Sequence, residues 1–315
     1  MNVSEKIAVC SRSFSKNPVL RAELLARYAH VTFNDSGDQL KRERLVDFLK
    51  GHDKAITALE PIDEWVLSRL PNLKVISKYG VGLDMIDMAA MRAYGKRLGW
   101  TGGVNRRSVS ELVLSFAIAI LRHVPATQRE ILAGTWRQQV GGELTGRTVG
   151  IVGCGNVGKD LVSLLQPFAC RILVNDIRHY GDFYAAHGIE PVALENLLAR
   201  SDVVTLHVPL DDSTRGLLDA RRLAMLKPTA VLINAARGGL VDEVALKDML
   251  QGRRLAGAAF DVFAVEPPGD PELLALPNFL VTPHIGGSSE EAILAMGRAA
   301  IEGLDDNQIP GTDIG

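Results

Sequence analysis

Hydrophobic residues along the chain form short runs, separated by stretches in which apolar positions recur with a helical spacing. In the N-terminal hundred residues these runs are 7–10, 55–58 and 75–77. Later in the chain they are 148–152, 171–175, 203–206, 230–233, 257–261 and 279–282. Strands that alternate with helices in this way favour parallel sheets covered by helices. The pattern therefore predicts an α/β protein with two groups of strands.

The segments between the runs predict the helices. Residues 18–28 form an amphipathic segment, and residues 112–122 are strongly apolar, with Ser108 and Glu111 at capping-box spacing before them. A last helix is predicted at about 289–305. The six later strands, with helices between them, are the number that a doubly wound dinucleotide-binding sheet needs.

Length and charge narrow the class of protein. A chain of 315 residues suggests two domains, and a net charge of -2 argues against nucleic acid or an anionic membrane as the main partner. The N-terminus has no signal-peptide pattern, and the longest apolar stretch is too short to span a bilayer, so a cytoplasmic location is expected. Cysteines lack metal-like spacing, so we expect reduced thiols and no metal site at Cys10, Cys154 and Cys170.

A glycine-rich turn follows the strand predicted at 148–152. Gly153 permits a tight turn, Gly155 lets the backbone approach a pyrophosphate, and Gly158 lets the next helix pack closely on the sheet. The helix predicted at 156–165 directs free N–H groups and the positive end of its dipole at that phosphate. By itself such a turn also occurs in other α/β proteins, but here it has a strand before it and a helix after it.

Asp176 lies at the end of the next predicted strand. A carboxylate there can accept hydrogen bonds from both ribose hydroxyls and repels a 2′-phosphate. The cofactor is therefore predicted to be NAD. Arg178 is near enough to bind a phosphate instead, which leaves NADP as the less favoured alternative.

Three residues of suitable chemistry follow later predicted strands: Arg237, Glu266 and His284. Reduction of a 2-oxo acid needs a cation for the carboxylate, and arginine binds it bidentately. It also needs a proton donor such as histidine, and a carboxylate beside the histidine fixes its tautomer and favours its charged form. Taken singly, the three could be a cap residue, a loop acid and a turn residue. Beside a cofactor turn, we interpret them as catalytic.

Several longer motifs accompany these residues. They are Ile76-Ser77-Lys78-Tyr79-Gly80-Val81-Gly82-Leu83-Asp84, Asn105 to Glu111, His207-Val208-Pro209-Leu210 with Thr214, and Leu226 to Glu243. Three further segments, 234–239, 261–268 and 282–287, carry Arg237, Glu266 and His284. With these motifs and the glycine turn, the chain resembles the D-isomer-specific 2-hydroxyacid dehydrogenase family over nearly all of its length. Within that family it resembles the phosphoglycerate dehydrogenases, without their regulatory domain. Thr101-Gly102-Gly103 and Met85 depart from the family's pattern.

The resemblance implies the architecture. A Rossmann-type doubly wound parallel sheet is expected in a dinucleotide-binding domain at 102–286, inserted in a smaller flavodoxin-like α/β substrate domain made of 1–101 and 287–315. The helix near 110–122 and the segment after it imply a homodimer. No regulatory domain is expected, because the chain ends at Gly315.

The resemblance also implies the site. Arg237 would bind the substrate carboxylate, and His284 would be the acid/base with Glu266 as its partner. The implied cofactor residues are Gly153, Gly155, Asn156, Val157, Gly158, Asp176, Val208, Pro209, Thr214, Ala235, Asp261, Gly286 and Gly287. The implied substrate residues are Lys78, Val81, Gly82, Arg106 and Arg107. The two arginines and Lys78 suggest a phosphate or phosphonate as a second anionic group, although solvated charges at a helix start explain the arginines equally well.

Three functions remain in competition. The leading one is an NAD-dependent oxidoreductase that interconverts a 2-oxo acid and a D-2-hydroxy acid. A phosphite- or formate-type dehydrogenase has the same fold, but formate enzymes pair the histidine with glutamine. A dinucleotide-sensing, corepressor-like binding protein would retain similar residues, and turnover of 2-oxo acids would exclude it.

Overall fold

The computed structural model describes residues 2–311, and their contacts form two compact units. One unit is drawn from Met1–Asn105 and Ser288–Gly315, and the other is Arg106–Gly287. Among the described residues no single helix is long and apolar enough to cross a membrane; only the first two helices of the second unit, bent by 62°, reach that length and composition together.

Parallel strands and short helices alternate in the first hundred residues. The elements are β1 (Asn2–Val9), α1 (Arg12–Lys16), α2 (Pro18–Arg27), β2 (Tyr28–Phe33), α3 (Arg42–Leu49), β3 (Lys54–Thr57), α4 (Glu64–Leu67), β4 (Val75–Lys78), α5 (Met88–Ala93) and β5 (Arg97–Gly99). The strands form one parallel sheet in the order β2-β1-β3-β4-β5. This is the flavodoxin-like order.

Two strands of this sheet, β2 and β5, are absent from the prediction. Both lie at the sheet's edges. The edge strand β2 is mostly exposed, and β5 has only three residues, so neither shows the continuous apolar run of a central strand.

The second unit contains the longer alternation. Its elements are α6 (Arg106–Leu121), α7 (Val124–Leu132), β6 (Thr148–Val152), α8 (Asn156–Leu165), a 3₁₀ turn (Gln166–Phe168), β7 (Arg171–Asn175), α9 (Gly181–His187), β8 (Glu190–Pro191), α10 (Leu194–Arg200), β9 (Val203–Leu206), α11 (Ala220–Leu223), β10 (Val231–Asn234), α12 (Glu243–Gln251), β11 (Gly257–Phe260), α13 (Pro271–Leu274) and β12 (Phe279–Val281). The last helix, α14 (Glu290–Gly303), belongs to the first unit.

Seven parallel strands form the sheet of the second unit, in the order β12-β11-β10-β9-β6-β7-β8. The order reverses where β6 lies beside β9, which is the topological switch point at which doubly wound sheets bind ligands. The predicted fold class and its six strands are confirmed. The extra strand β8 has two residues at the sheet's edge, too few to give a periodic signal.

Helices cover both faces of this sheet, and strands β9, β10 and β11 are buried along their whole length. On one face α6 packs through Val113, Ala117 and Ile120. A side chain at Gly257 would meet Ile120 Cγ2 at 2.7 Å, so the glycine lets α6 lie close to β11. The core thus fixes the strand ends from which the loops of the site emerge.

The predicted start of α6 is wrong. The helix begins at Arg106, so Ser108 and Glu111 lie inside it and form no capping box. Instead, the Ser108 hydroxyl donates a hydrogen bond of 2.6 Å to the Gly286 carbonyl. Ser108 therefore ties the first turn of α6 to the loop after β12.

Within the first unit, α14 packs against β4 and β5. The Ser77 hydroxyl donates to the Ala300 carbonyl at 2.6 Å. A Cβ at Gly99 would lie 2.0 Å from the Gly303 carbonyl oxygen, so the two backbones approach each other directly. Ser289 caps the helix by accepting from the Ala292 N–H.

Candidate functional site

The turn between β6 and α8 is shaped by its glycines. Gly153 has φ +96°, and a Cβ there would lie 2.7 Å from the His207 carbonyl oxygen. A Cβ at Gly158 would lie 2.3 Å from the Gly153 carbonyl oxygen, whereas nothing lies within 4 Å of one at Gly155. The turn is therefore tightly packed at Gly153 and Gly158. It has free space at Gly155, where α8 begins without a side-chain cap. This cradle fits the pyrophosphate of a dinucleotide.

Asp176 follows β7 and lies beside this turn. One carboxylate oxygen accepts the Cys154 N–H at 2.6 Å, and the other accepts the Arg178 N–H at 2.7 Å. Burial, and then the charge of Asp176, raise the pKa of the Cys154 thiol to about 11, so this thiol stays protonated. The half-buried carboxylate is thereby fixed at the end of the strand, as recognition of a ribose requires.

The loop after β9 is closed by its own hydrogen bonds. Thr214 Oγ1 donates to the Pro209 carbonyl at 2.7 Å and accepts the Asp211 N–H at 2.8 Å. Burial lowers the pKa of His207, at the start of this loop, to about 4. Its ring is therefore neutral at physiological pH, and it lies 3.0 Å from Thr205 Oγ1.

The other predicted cofactor residues of this unit differ in exposure. Asn156 and Pro209 are exposed, and the partly buried ones are Val157, Val208, Ala235 and Gly287. Gly286 is buried, its N–H donates to Asp261, and its carbonyl accepts from Ser108. Both backbone polar groups of Gly286 thus already take part in a hydrogen bond within the protein.

Arg237 lies three residues after the end of β10, in a short turn. Its Nη1 donates to the Ala236 carbonyl at 2.7 Å, and the residue is partly buried. The Asn234 side chain spans the turn, since Nδ2 donates to the Arg237 carbonyl at 2.8 Å and Oδ1 accepts the Ala236 N–H at 3.1 Å. The arginine is thus presented from a fixed backbone.

Glu266 and His284 form a direct pair. His284 Nδ1 lies 2.9 Å from Glu266 Oε2 and 3.2 Å from Oε1. Glu266 Oε1 also accepts the Phe263 N–H at 3.1 Å. The imidazole and the carboxyl group are 50% and 40% exposed, so both remain accessible from solution. A carboxylate on Nδ1 leaves Nε2 to exchange a proton with a substrate oxygen.

The Arg237 turn packs against the loop that carries Glu266. A Cβ at Gly238 would lie 1.9 Å from the carbonyl carbon and oxygen of Phe263. In addition, Glu243 Oε1, at the start of α12, accepts the Ala264 N–H at 2.9 Å. The three predicted catalytic residues thus stand on loops at the carboxyl ends of neighbouring strands β10, β11 and β12.

Three predicted substrate residues belong to the first unit. Lys78 ends β4, is 5% exposed and donates its ammonium to the Ala58 carbonyl. Val81 and Gly82 follow in a partly buried loop, and the Val81 carbonyl accepts Trp100 Nε1–H at 2.9 Å. Their N–H groups lie at the carboxyl end of the sheet, where ligands of α/β units bind.

Arg106 and Arg107 begin α6 in the second unit. Arg107 Nη2 lies 3.1 Å from Asp160 Oδ1, and Arg106 Nε lies 3.9 Å from the same oxygen. Asp160 is on α8, the helix after the glycine turn. A carboxylate therefore already accompanies both arginines, which weakens their positive potential for a substrate anion.

Among residues 2–311, no three His, Cys, Asp or Glu side chains are grouped as metal ligands.

Comparison with known protein families assigns the chain to a family. A family profile described as D-isomer specific 2-hydroxyacid dehydrogenase, NAD binding domain, matches residues 114–286. The chain belongs to this family.

Individual relatives agree with this assignment. Over 233 residues the chain is 38% identical to the D-3-phosphoglycerate dehydrogenase of Mycobacterium tuberculosis, covering 73% of this chain and 44% of that protein. Over 237 residues it is 35% identical to the hydroxypyruvate reductase of Thermotoga maritima, covering 73% and 76%. The chain spans about half the length of the phosphoglycerate dehydrogenase relatives it matches.

A solved structure extends the likeness to both units. A candidate D-isomer specific 2-hydroxyacid dehydrogenase, NAD-binding, from Polaromonas sp. JS6 66 superposes with a TM-score of 0.86 at 30% identity, covering 95% of each chain. The fold predicted from the family resemblance is therefore confirmed.

Sequence reasoning missed the residues that hold the loops of this candidate site. They are Ser108, Asn234, Gly238, Glu243 and Thr282. Asn234 does stand directly before a loop that carries a predicted catalytic residue, and a polar residue at the end of an apolar strand is a signal of a local loop bond. The partners of Gly238 and Glu243 are distant in sequence, and no pattern indicates them.

Proposed function

We propose that this protein is an NAD-dependent oxidoreductase that interconverts a 2-oxo acid and a D-2-hydroxy acid. The observation that carries the proposal is the Glu266–His284 pair, whose glutamate lies on a loop packed against the turn of Arg237. A cation for a carboxylate and a proton donor for the adjacent oxygen are what this chemistry requires. The three residues lie on loops at the carboxyl ends of neighbouring strands. The family profile that the chain matches describes an NAD-binding domain.

The roles follow from the geometry. A bound nicotinamide supplies or accepts the hydride. In reduction, His284 donates the Nε2 proton to the oxygen that becomes the hydroxyl, while Glu266 continues to accept from Nδ1–H. In oxidation the same nitrogen takes the proton back. Arg237 holds the carboxylate through its planar guanidinium, which orients the carbonyl. One oxo acid, one NADH and one proton give one hydroxy acid and one NAD⁺.

The two units take different parts in this proposal. Residues 102–286 would form the dinucleotide-binding domain, and residues 1–101 with 287–315 would form the substrate domain. Asp176 favours NAD over NADP, because its carboxylate is fixed beside the glycine turn and repels a 2′-phosphate. Arg178 offers a cation next to it, so NADP is the second choice.

A finer proposal is that the oxo acid carries a second anionic group, a phosphate or phosphonate. It is supported by the family's D-3-phosphoglycerate dehydrogenases and by the basic residues Lys78, Arg106 and Arg107. If it is right, 3-phosphohydroxypyruvate exceeds hydroxypyruvate in kcat/KM about a hundredfold or more, as two charge-assisted hydrogen bonds would give. Arg106→Ala and Arg107→Ala would then remove the gap. Equal use of both substrates would indicate a generalist reductase.

A homodimer is proposed from the exposed apolar side chains on and after α7. Leu132, Trp136 and Val140 are 80%, 86% and 95% exposed. Large apolar side chains this exposed within nine residues of a folded chain are typical of a protein interface, and a second copy is the partner that the family resemblance implies. Sedimentation should give the mass of a dimer, and Trp136→Ser with Leu132→Asp should shift it toward a monomer. A monomeric unmutated protein would contradict the proposal.

Turnover with a panel of substrates tests the activity. NADH oxidation is followed with glyoxylate, pyruvate, hydroxypyruvate and 3-phosphohydroxypyruvate, and NAD⁺ reduction with phosphite and formate. Turnover of an oxo acid, abolished by His284→Asn, is the expected result. Turnover of phosphite or formate alone would favour that alternative. Tight NADH binding without turnover of any compound would favour the dinucleotide-sensing alternative.

A further inference from the structure

Two buried polar side chains stand side by side at the ends of neighbouring strands in the second unit. Asn234 is the last residue of β10 and Asp261 follows β11, and they are 1% and 2% exposed. The Asp261 N–H donates to the Asn234 carbonyl at 2.9 Å, so the two backbones are bonded directly. Polar groups buried this deeply are stable only when they are hydrogen-bonded. The hydrogen-bond partners of Asn234 and Asp261 therefore identify the loops that these two side chains fix in place.

The Asn234 side chain bonds to the turn of Arg237. Its amide accepts from Ala236 N–H and donates to the Arg237 carbonyl, at 3.1 and 2.8 Å. One side chain thus bridges the two peptide units that flank the Ala236–Arg237 bond. Removal of the amide leaves a donor and an acceptor of this turn without their partner.

Asp261 bonds to the loop of His284. Its carboxylate accepts the Thr282 hydroxyl at 2.5 Å and the N–H groups of Ile285 and Gly286 at 2.7 Å each. Its carbonyl accepts the His284 N–H at 2.9 Å. These bonds surround a histidine with φ +55°, a left-handed conformation that is uncommon outside glycine. The Asp261 carboxylate thus stabilises the backbone of the loop in which His284 has this conformation.

We infer that Asn234 and Asp261 are paired positioning residues, Asn234 for the arginine loop and Asp261, with Thr282, for the histidine loop. The inference rests on the proposed function for its kinetic meaning. The strand bond between the two residues sets the spacing of the loops, and each side chain sets the backbone of one loop. Two carboxylates face the histidine: Glu266 contacts its ring, and Asp261 lies beneath its backbone.

The pairing predicts separate consequences for the two loops. A variant at Asn234 should release the Arg237 turn and weaken binding of the carboxylate, without moving the histidine. A variant at Thr282 should loosen the histidine loop and slow proton transfer, without weakening binding. A purely structural role would instead lower stability and change all kinetic parameters together.

Amide hydrogen exchange tests the contacts without reference to activity. In Asn234→Ala, exchange at Ala236 should rise about tenfold or more while Ile285 and Gly286 keep their rates, as loss of one hydrogen bond implies. Thr282→Val should give the reverse pattern. Asn278→Ala, at the amino end of β12, is the matched control and should change neither segment. Should Asn234→Ala not fold, Asn234→Ser shortens the side chain, so that it no longer spans the turn, and keeps a hydroxyl that can be hydrogen-bonded at this buried position.

Binding and kinetics give the second readout. Oxamate, an unreactive analogue of a 2-oxo acid, should bind about tenfold more weakly to Asn234→Ala, and Thr282→Val should lower kcat about tenfold with oxamate affinity retained. Thr282→Ser, which restores the hydroxyl, should recover kcat. Unchanged exchange in both variants, or equal changes of kcat and oxamate affinity in both, would overturn the inference. If the unmutated protein reduces no oxo acid, the proposed function fails, but the exchange pattern still decides the contacts.

Discussion

Gly238→Ala is the sharpest single test of the site, because the glycine lies between two loops that carry proposed catalytic residues. It follows Arg237 directly and faces the backbone before Glu266. An added Cβ would lie 1.9 Å from the carbonyl carbon and oxygen of Phe263 and 2.4 Å from the Ala264 nitrogen. All three atoms belong to backbone, so no side-chain rotation can make room.

The size of the effect follows from these distances. Non-bonded carbon atoms pack at about 3.5–4.0 Å, so the two loops must separate by roughly 1.5–2 Å. Overpacking of this kind costs about 1–3 kcal/mol of folding stability. A misplacement of about 1 Å at an active site can cost about a hundredfold in rate. The loops that separate carry the arginine on one side and the glutamate of the dyad on the other.

The assay compares kcat/KM for hydroxypyruvate, NADH affinity and the unfolding midpoint in Gly238→Ala and in a control. Gly269→Ala is that control, since it lies on the loop after Glu266 and a Cβ there meets nothing within 4 Å. We expect kcat/KM to fall about a hundredfold in Gly238→Ala, and NADH affinity and the control to stay within about threefold of the unmutated protein. Equal kcat/KM in the two variants would refute the role of this contact.

Further predictions concern the cofactor, the dyad and stability in acid. Asp176→Ala should raise the ratio of kcat/KM with NADPH to that with NADH at least about tenfold, because it removes a repulsion of a few kcal/mol; an unchanged ratio would contradict this. Glu266→Gln should lower kcat in both reaction directions about tenfold or more, because it removes the carboxylate that holds the His284 ring through Nδ1, and an unchanged kcat would refute the pairing. Arg200 and Arg171 lower the pKa of Glu190 to about 2 from the ordinary 4.5. Its contribution is present above pH 4.5 and lost as the pH falls toward 2, so the stability difference between the unmutated protein and Glu190→Gln, measured by urea unfolding, should shrink from pH 6 to pH 3.

Much of the fold could be predicted because central parallel strands are buried on both faces. Strands β9 to β11 are continuous apolar runs, and the sequence locates each to within one residue or so. The edge strands β2, β5 and β8 escape prediction because exposure removes that signal. The start of α6 escapes for another reason. The hydroxyl of Ser108, which resembles a cap in sequence, bonds to a carbonyl of a distant loop.

The site could be predicted only as a set of residue types. Arginine, glutamate and histidine after successive strands indicate the chemistry, and the dyad distance agrees with it. The surroundings of Arg106 and Arg107 could not be predicted, because Asp160 reaches them from a helix that is separate in sequence. Contacts such as that of Gly238 with Phe263 likewise depend on which strands are neighbours, and this becomes known only with the sheet order.

The sheet order also explains why Glu266 follows the middle strand. In the order β12-β11-β10, the loop after β11 has the arginine loop on one side and the histidine loop on the other. It touches both, through Phe263 against Gly238 and through Glu266 against His284. Beneath it, Asp261 of the same strand end bonds to Asn234 and to the backbone around His284. A carboxylate after β10 or β12 could face only one of the other loops. The order Arg, Glu, His along the chain is therefore the order in which a parallel sheet places the glutamate between the two residues that are proposed to meet the substrate.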